Sequence, residues 1–236
     1  VMQRNRRIGV GTSGHANFVD NHGMPELREW LDLGYHTVNI WDREYSEWLG
    51  VRESIKKTTV KPSGTVSLLA GESPGVHWSP GGEYHLRGVV FQKDDPMVAL
   101  FRQAGYEIQE SAYTPDTSVF VQFPIHSKAK RSEKDVTIFE KINLAVNAQR
   151  YWSDNSVSVT VSFDAKDEAE FVPTVLQMHE GSLKTVSFLP QGNDTYAQMP
   201  YVSIEEDEYL DLQDNLLKVD LSSVYRNGLD AEGERG

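Results

Sequence analysis

The chain has 236 residues, 39% hydrophobic, 25% charged and 10% aromatic, an ordinary globular composition long enough to bury a core. Its net charge of −12 argues against a nucleic-acid partner, and no run approaches the ~20 apolar residues of a membrane span. It contains no cysteine, which excludes disulfides, thiolate metal ligands and thiol chemistry on this polypeptide; with no export signal at its start, the expected compartment is the cytoplasm.

Asn5 to Gly14, NRRIGVGTSG, reads as a short apolar strand and a glycine-rich turn. PELREWLDLG follows as a helix with Leu27, Trp30 and Leu31 at helical spacing and Gly34 as its stop, and a second helix spans about 37–49. Residues 55–60 read as a strand ended by Pro62, and Val66 to Ala70 as a short helix closed by Gly71. Residues 72–85 carry Pro and Gly every few positions and read as loop. DDPMVALFRQAGY is a helix capped by Asp95, with Pro96 at its first position, Met97, Leu100, Phe101 and Ala104 on one face, and Gly105 at its end. TSVFVQFPI is a strand and 127–135 a charged loop.

Thr137 and Glu140 form a capping box for a helix to about Arg150, with Ile138, Ile142, Ala145 and Gln149 on one side. SVSVTVSF, Ser156 to Phe163, alternates throughout and is the clearest strand. Residues 164–180 read as mostly helical around Pro173, and KTVSFLP as a further strand. Ser203 with Glu206 forms a second capping box, opening an acidic helix to about Lys218; 227–236 read as a mobile tail. Strands and helices alternate, which predicts an α/β fold with a largely parallel sheet.

The segment TTVKPSGTVSLLAG carries the most chemistry. A strand ending in Pro-Ser-Gly-Thr and feeding a helix leaves backbone N–H groups free at the first helical turn. Gly64 admits close approach of a ligand, and Ser63, Thr65 and Ser67 add hydroxyls. Negative charge is favoured there, and phosphate is the natural guest. The alternative is that Ser63 or Thr65 only caps its own helix. The spacing is not that of a P-loop.

ESIKKTTVKPSGTVSLLAG followed by SPGVH strongly resembles the adenosylcobalamin-dependent (class II) ribonucleotide reductases, of the monomeric ribonucleoside-triphosphate reductase type. NRRIGVG, DDPMVALFRQAGY, TSVFVQFPI, QRYWSDNSVSVTVSF and LKTVSFLP resemble the same family in the same order. The resemblance implies the second half of a ten-stranded α/β barrel plus a C-terminal cobalamin-associated α/β region. Residues 1–150 would form the barrel half with the phosphate turn, and 151–236 the last strands and the cobalamin-associated region. It implies Pro62, Ser63, Gly64, Thr65, Val66 and Ser67 as substrate-binding residues. For adenosylcobalamin it directs attention to Ser153, Asp154, Asn155, Ser156, Thr185, Ser187 and Leu189.

The family's Asn-x-Cys-x-Glu finger loop and reducing cysteines are absent, so no catalytic residue is assigned. The expected partners are a complementary N-terminal reductase half carrying those cysteines, a ribonucleoside triphosphate and an external dithiol. The rival readings are a non-catalytic nucleotide- or corrinoid-binding fragment and a nucleotide-binding regulatory protein. The seven histidines show no metal-ligand spacing; His77 and His85, flanking a Gly/Pro loop near the expected site, read as surface residues, with lining of that site as the alternative. Trp30, Trp41 and Trp48 read as core or interface, and Arg4, Arg6 and Arg7 as pairing with the complementary half.

Overall fold

The computed structural model describes residues 2–191 and 197–222, so the expected tail at 227–236 lies outside the described residues. In chain order the elements are α1 (Met2–Asn5), β1 (Arg7–Gly11), α2 (His15–His22), α3 (Met24–Trp48), β2 (Lys56–Thr59), α4 (Val66–Leu69), β3 (Tyr84–Gln92), α5 (Pro96–Gln103), β4 (Ile108–Glu110), β5 (Ser118–His126), α6 (Ile138–Tyr151), β6 (Thr160–Asp164), α7 (Val172–Met178), β7 (Ser187–Gln191), β8 (Tyr201–Ser203) and α8 (Glu206–Asn215). They fall into two compact units, residues 1–83 with 127–193, and residues 84–126 with 194–236.

In the first unit, β1 pairs with β2 and β6 with β7, both parallel. A parallel bridge between Val60 and Val157 joins the pairs, and Asn155 N–H and Ser158 N–H donate to Thr58 O and Val60 O at 3.0 Å each. The result is an all-parallel array in the order β1, β2, the 155–164 segment, β7. Among the described residues it does not close into a barrel. One face carries the helices. Val60, Val157 and Val161 pack there against Ile138, Ile142, Leu144 and Trp152, all at most 5% exposed. Each such side chain contributes roughly 1.5–3 kcal/mol by leaving water. The opposite face is built from Gly9, Gly11, Thr59, Ser156, Ser158, Thr160, Thr185 and Ser187, small or hydroxyl-bearing residues set by the two-residue alternation.

The expected break at Gly34 does not occur: α3 is one helix of 25 residues. Gly34 is there for packing, since a Cβ on it would stand 3.1 Å from Cζ3 of the Trp152 indole. Regular pairing in the Ser156–Phe163 stretch begins only at Thr160; the preceding residues are tied to β2 by the single bridge at Val157. The 164–180 stretch is helical only over a short 3₁₀ turn and α7, with Pro173 in the first turn of α7. The Thr137–Glu140 box forms as expected, with Glu140 N–H donating to Thr137 Oγ1 at 3.3 Å.

The second unit departs from the parallel expectation. Its sheet is antiparallel in the order β4-β5-β3-β8, and β3, running from Tyr84 past the expected loop, is its longest pairing partner. Val98 and Phe101 of α5 pack on Val119, Val121 and Phe123, with Phe101 edge-on to Phe123 at 5.1 Å. Asp95 caps α5 by accepting from Met97 N–H at 2.8 Å. The Ser203–Glu206 box does not form: Ser203 ends β8, Glu205 holds the N-cap of α8, and the helix stops at Asn215. His85 is buried at 3% exposure, against the expectation of a surface residue.

Candidate functional site

The Pro-Ser-Gly-Thr turn leaves the C-terminal end of β2, the edge at which open parallel sheets place ligands. Pro62, Gly64, Thr65 and Val66 are exposed, Ser63 is half-buried and Ser67 buried. Ser63 adopts φ +53°, a left-handed conformation uncommon for a residue with a side chain. Ser67 accounts for the bend: its N–H donates to Ser63 O at 3.2 Å, and its Oγ donates to the same carbonyl. The hydroxyls of Ser63 and Thr65 find no protein partner among the described residues, and Thr65 makes no side-chain cap to α4. Nor do the N–H groups of Gly64, Thr65 and Val66 find a backbone acceptor there. A Cβ built on Gly64 would meet nothing within 4 Å. The turn therefore presents a row of unspent donors to open space, and the self-capping alternative is not what Thr65 does.

A second loop braces the turn from behind. Gly75 has φ +54°, and a Cβ there would lie 2.4 Å from Lys61 O, so only glycine fits. Ser13, from the turn after β1, donates to Ser73 O at 3.2 Å and accepts from Gly75 N–H at 2.7 Å. His77 is held neutral: burial pushes its imidazole below its ordinary range, outweighing the Pro74 carbonyl and Glu133. Its Nε2 accepts from Thr160 N–H at 3.1 Å while Nδ1 donates to Pro74 O at 3.1 Å. His15 is buried too, which lowers it to about 4, with its Nδ1 unpartnered among the described residues. Ser13 and Gly75 were not foreseen as functional; the SPGVH run was the only sequence signal pointing to Gly75.

The residues considered for cobalamin divide into two kinds. Ser153, Asp154 and Asn155 are fasteners. The Asp154 carboxylate accepts from Tyr35 OH at 3.0 Å and Lys57 N–H at 2.9 Å. Asn155 Nδ2 donates to Thr58 O at 2.7 Å, and Ser153 Oγ to Asn155 O at 2.8 Å. Gln149, unforeseen in this role, spans the same turn by donating to Ser153 O and Asn155 O at 2.6 and 2.9 Å. Ser156, Thr185, Ser187 and Leu189 instead lie on the hydroxyl-rich face. Ser156 Oγ and Thr185 Oγ1 are 2.6 Å apart, Ser187 and Leu189 are exposed, and Ser187 stands beside Thr160 in the β6–β7 register. That exposed set suits a flat ligand with a polar amide rim; the fastened set spends its carboxylate, amide N–H and hydroxyl donors within the protein. Ser153, Asp154 and Asn155 lie at the entry of the strands, away from the turn, whereas Ser187 and Leu189, paired with Thr160 and Ser162, lie toward the end of the array from which the turn leaves. Thr58, beside Asn155, and Pro62 are separated by about 13 Å of extended chain. No cluster of metal-ligating side chains occurs among the described residues.

Comparison with known proteins agrees with this architecture. The chain superposes on a crystal structure of a B12-dependent (class II) ribonucleotide reductase with a TM-score of 0.86 and 30% identity, over 96% of this chain and 35% of that one. It is thus homologous to one segment of the class II ribonucleotide reductases. Over 234 residues it is 43% identical to a probable adenosylcobalamin-dependent ribonucleoside-triphosphate reductase of Dictyostelium discoideum, covering 98% of this chain and 31% of that protein. It is 42% identical to the adenosylcobalamin-dependent ribonucleoside-triphosphate reductase of Euglena gracilis, over 89% of this chain and 29% of that protein. The Lactobacillus helveticus reductase of the same name is 34% identical over 96% of this chain and 34% of its own length. The chain spans about a third of the length of these relatives. No protein-family model matches it.

Proposed function

We propose that this chain is the phosphate-gripping portion of an adenosylcobalamin-dependent ribonucleoside-triphosphate reductase, which converts ribonucleoside triphosphates to deoxyribonucleotides by radical chemistry. The observation that carries the reading is the turn at 62–67, whose donors face open space at the C-terminal edge of a parallel array in a segment homologous to such reductases. Gly64, Thr65 and Val66 N–H groups, with the Ser63 and Thr65 hydroxyls, hold the triphosphate. Ser67 keeps the turn bent, and Gly75 fixes its stem. The polyphosphate anchors the nucleotide so that its ribose extends over the part of the face built from glycines and hydroxyl-bearing residues.

Adenosylcobalamin, when bound, supplies the Co–C homolysis that starts the radical reaction. Ser156, Thr185, Ser187 and Leu189 belong to its seat, and Ser153, Asp154 and Asn155 stiffen that seat from within. The chain has no cysteine, so the thiyl radical and the reducing dithiol belong to the two thirds of the reductase outside it, with an external dithiol restoring them. Together the two portions complete the barrel, of which this parallel array is one half.

The test is binding, read separately from turnover. Gly64→Val places its Cβ in the ligand's space, with no protein atom within 4 Å of it. The variant is expected to bind a ribonucleoside triphosphate at least tenfold more weakly while binding the unphosphorylated nucleoside unchanged. Equal triphosphate affinity in variant and wild type would remove the assigned role. The rival reading of a non-catalytic nucleotide-binding fragment predicts the same binding result but no turnover when the rest of a reductase is supplied.

A further inference from the structure

We propose that the outer face of α3 and the groove beside it form the docking surface for the part of the reductase outside this chain, and that the segment seated there is apolar and acidic. This rests on the reductase reading above. Trp30, Leu33, Ile40, Trp41, Tyr45 and Trp48 recur at helical spacing along α3, and all are exposed by about half or more. Trp48 and the adjoining Leu49 are 70% and 75% exposed. Trp41 stacks on Tyr45 at 5.5 Å, and Tyr45 meets Trp48 edge-on at 5.2 Å. These rings form a ladder that shields itself in part and is otherwise open to water. An apolar patch of this extent marks a place where another protein surface sits.

The ladder runs into a groove of about 810 Å³ between α3 and β1, walled by Ile8, Val10, Trp41, Tyr45 and Leu49. Arg4, Arg6 and Arg52 also line it, and none of them has an ion-pair partner among the described residues. Asp42, the acid lining the same groove, is already taken by Lys57 Nζ at 3.3 Å. Burial alone would raise the Asp42 carboxyl, but hydrogen bonds from Ser54 and the Lys57 charge hold it below its ordinary value. A basic groove on a chain of net charge −12 is a local feature that selects an acidic occupant. A second copy fits poorly, because a twofold contact sets the same arginines against themselves. Among the described residues β1 is also the edge strand of the array, with pairing on one side only. The chain spans about a third of its relatives' length, so the absent portion is larger than the chain itself and supplies the occupant.

The experiment co-expresses tagged chain with the remaining two thirds of the Dictyostelium discoideum relative and measures dissociation of the co-purified pair on dilution. Wild type is expected to give a one-to-one complex. Trp41→Glu with Tyr45→Glu is expected to weaken it by at least about 100-fold, since buried aromatic anchors typically carry ~30-fold or more each. Arg4→Glu, Arg6→Glu and Arg52→Glu together are expected to weaken it and to abolish its loss in high salt. All five positions are on the surface groove, so the thermal melt of the lone chain should not change. If the aromatic pair nonetheless unfolds it, the arginine set carries the test. Unchanged dissociation in both sets, no complex with wild type, or a wild-type homodimer broken by the same substitutions would each overturn the proposal. An assembled wild-type pair that makes no deoxyribonucleotide would count against the reductase reading while leaving the docking surface standing.

Discussion

Thr58→Val keeps the shape of a fully buried side chain and removes one hydroxyl that serves two groups. Thr58 Oγ1 accepts from Asp154 N–H at 2.9 Å and donates to Trp152 O. Thr58 is 0% exposed and Trp152 5%, so water does not replace what is lost. An orphaned buried donor or acceptor costs about 1–3 kcal/mol, and the added methyl returns at most about 1 kcal/mol, for a net loss of roughly 1–5 kcal/mol. Thr59→Val is the control. Its hydroxyl makes one long bond, to Ser156 O at 3.3 Å, and its loss is expected to cost about 1 kcal/mol or less. The assay is urea unfolding followed by tryptophan fluorescence. All five tryptophans (Trp30, Trp41, Trp48, Trp78 and Trp152) lie in the first unit, so the signal reports that unit alone. With a slope of about 2 kcal/mol per molar urea, a loss of ~3 kcal/mol moves the midpoint down by about 1.5 M. A Thr58→Val midpoint no lower than that of Thr59→Val would refute the view that the Tyr-Trp-Ser-Asp-Asn run is a fastener.

Gly75→Ala forces a Cβ to 2.4 Å from Lys61 O in a left-handed backbone, so the stem of the phosphate turn must shift; triphosphate affinity is expected to fall at least tenfold, and unaltered affinity would show that the loop does not brace the site. His15 gives a pH signature. Burial holds it at about 4 against 6.5 for a free histidine, so the unfolded chain takes up the proton first, and stability falls as pH drops from about 6.5 to 4. The expected loss is about 3 kcal/mol, read as the difference between wild type and His15→Gln across that range; parallel curves for the two proteins would contradict it.

The fold was readable where local chemistry decides it. The Asp95 cap and the Thr137–Glu140 box each depend on a few adjacent residues, and both form. Readings that depended on distant partners went astray. Gly34 looks like a helix stop because the indole that needs its missing side chain comes 118 positions later, at Trp152. The loop reading of 72–85, which rests on its recurring Pro and Gly, takes in Tyr84 and His85, the first two residues of β3. Gly88 is required there by the Phe120 ring across the β3–β5 pair, whose Cζ would lie 1.9 Å from an added Cβ. The turn at 62–67, with its exposed donors, was legible because strand end, proline, glycine and hydroxyls are contiguous. Its brace was not, since nothing local tells that Gly75 must lie against Lys61. The family resemblance directs attention to Ser153, Asp154 and Asn155 without telling ligand contacts from buried fasteners; only their partners distinguish the two.

The most direct test of the account is formation of 2′-deoxyribonucleotide from ribonucleoside triphosphate, with adenosylcobalamin and a small dithiol present. It is measured for this chain alone and for the chain assembled with the rest of a reductase. The account predicts product from the assembled pair and none from the chain alone, which has no sulfur to carry the radical. Product from the chain by itself, or none from a demonstrably assembled pair, would contradict it.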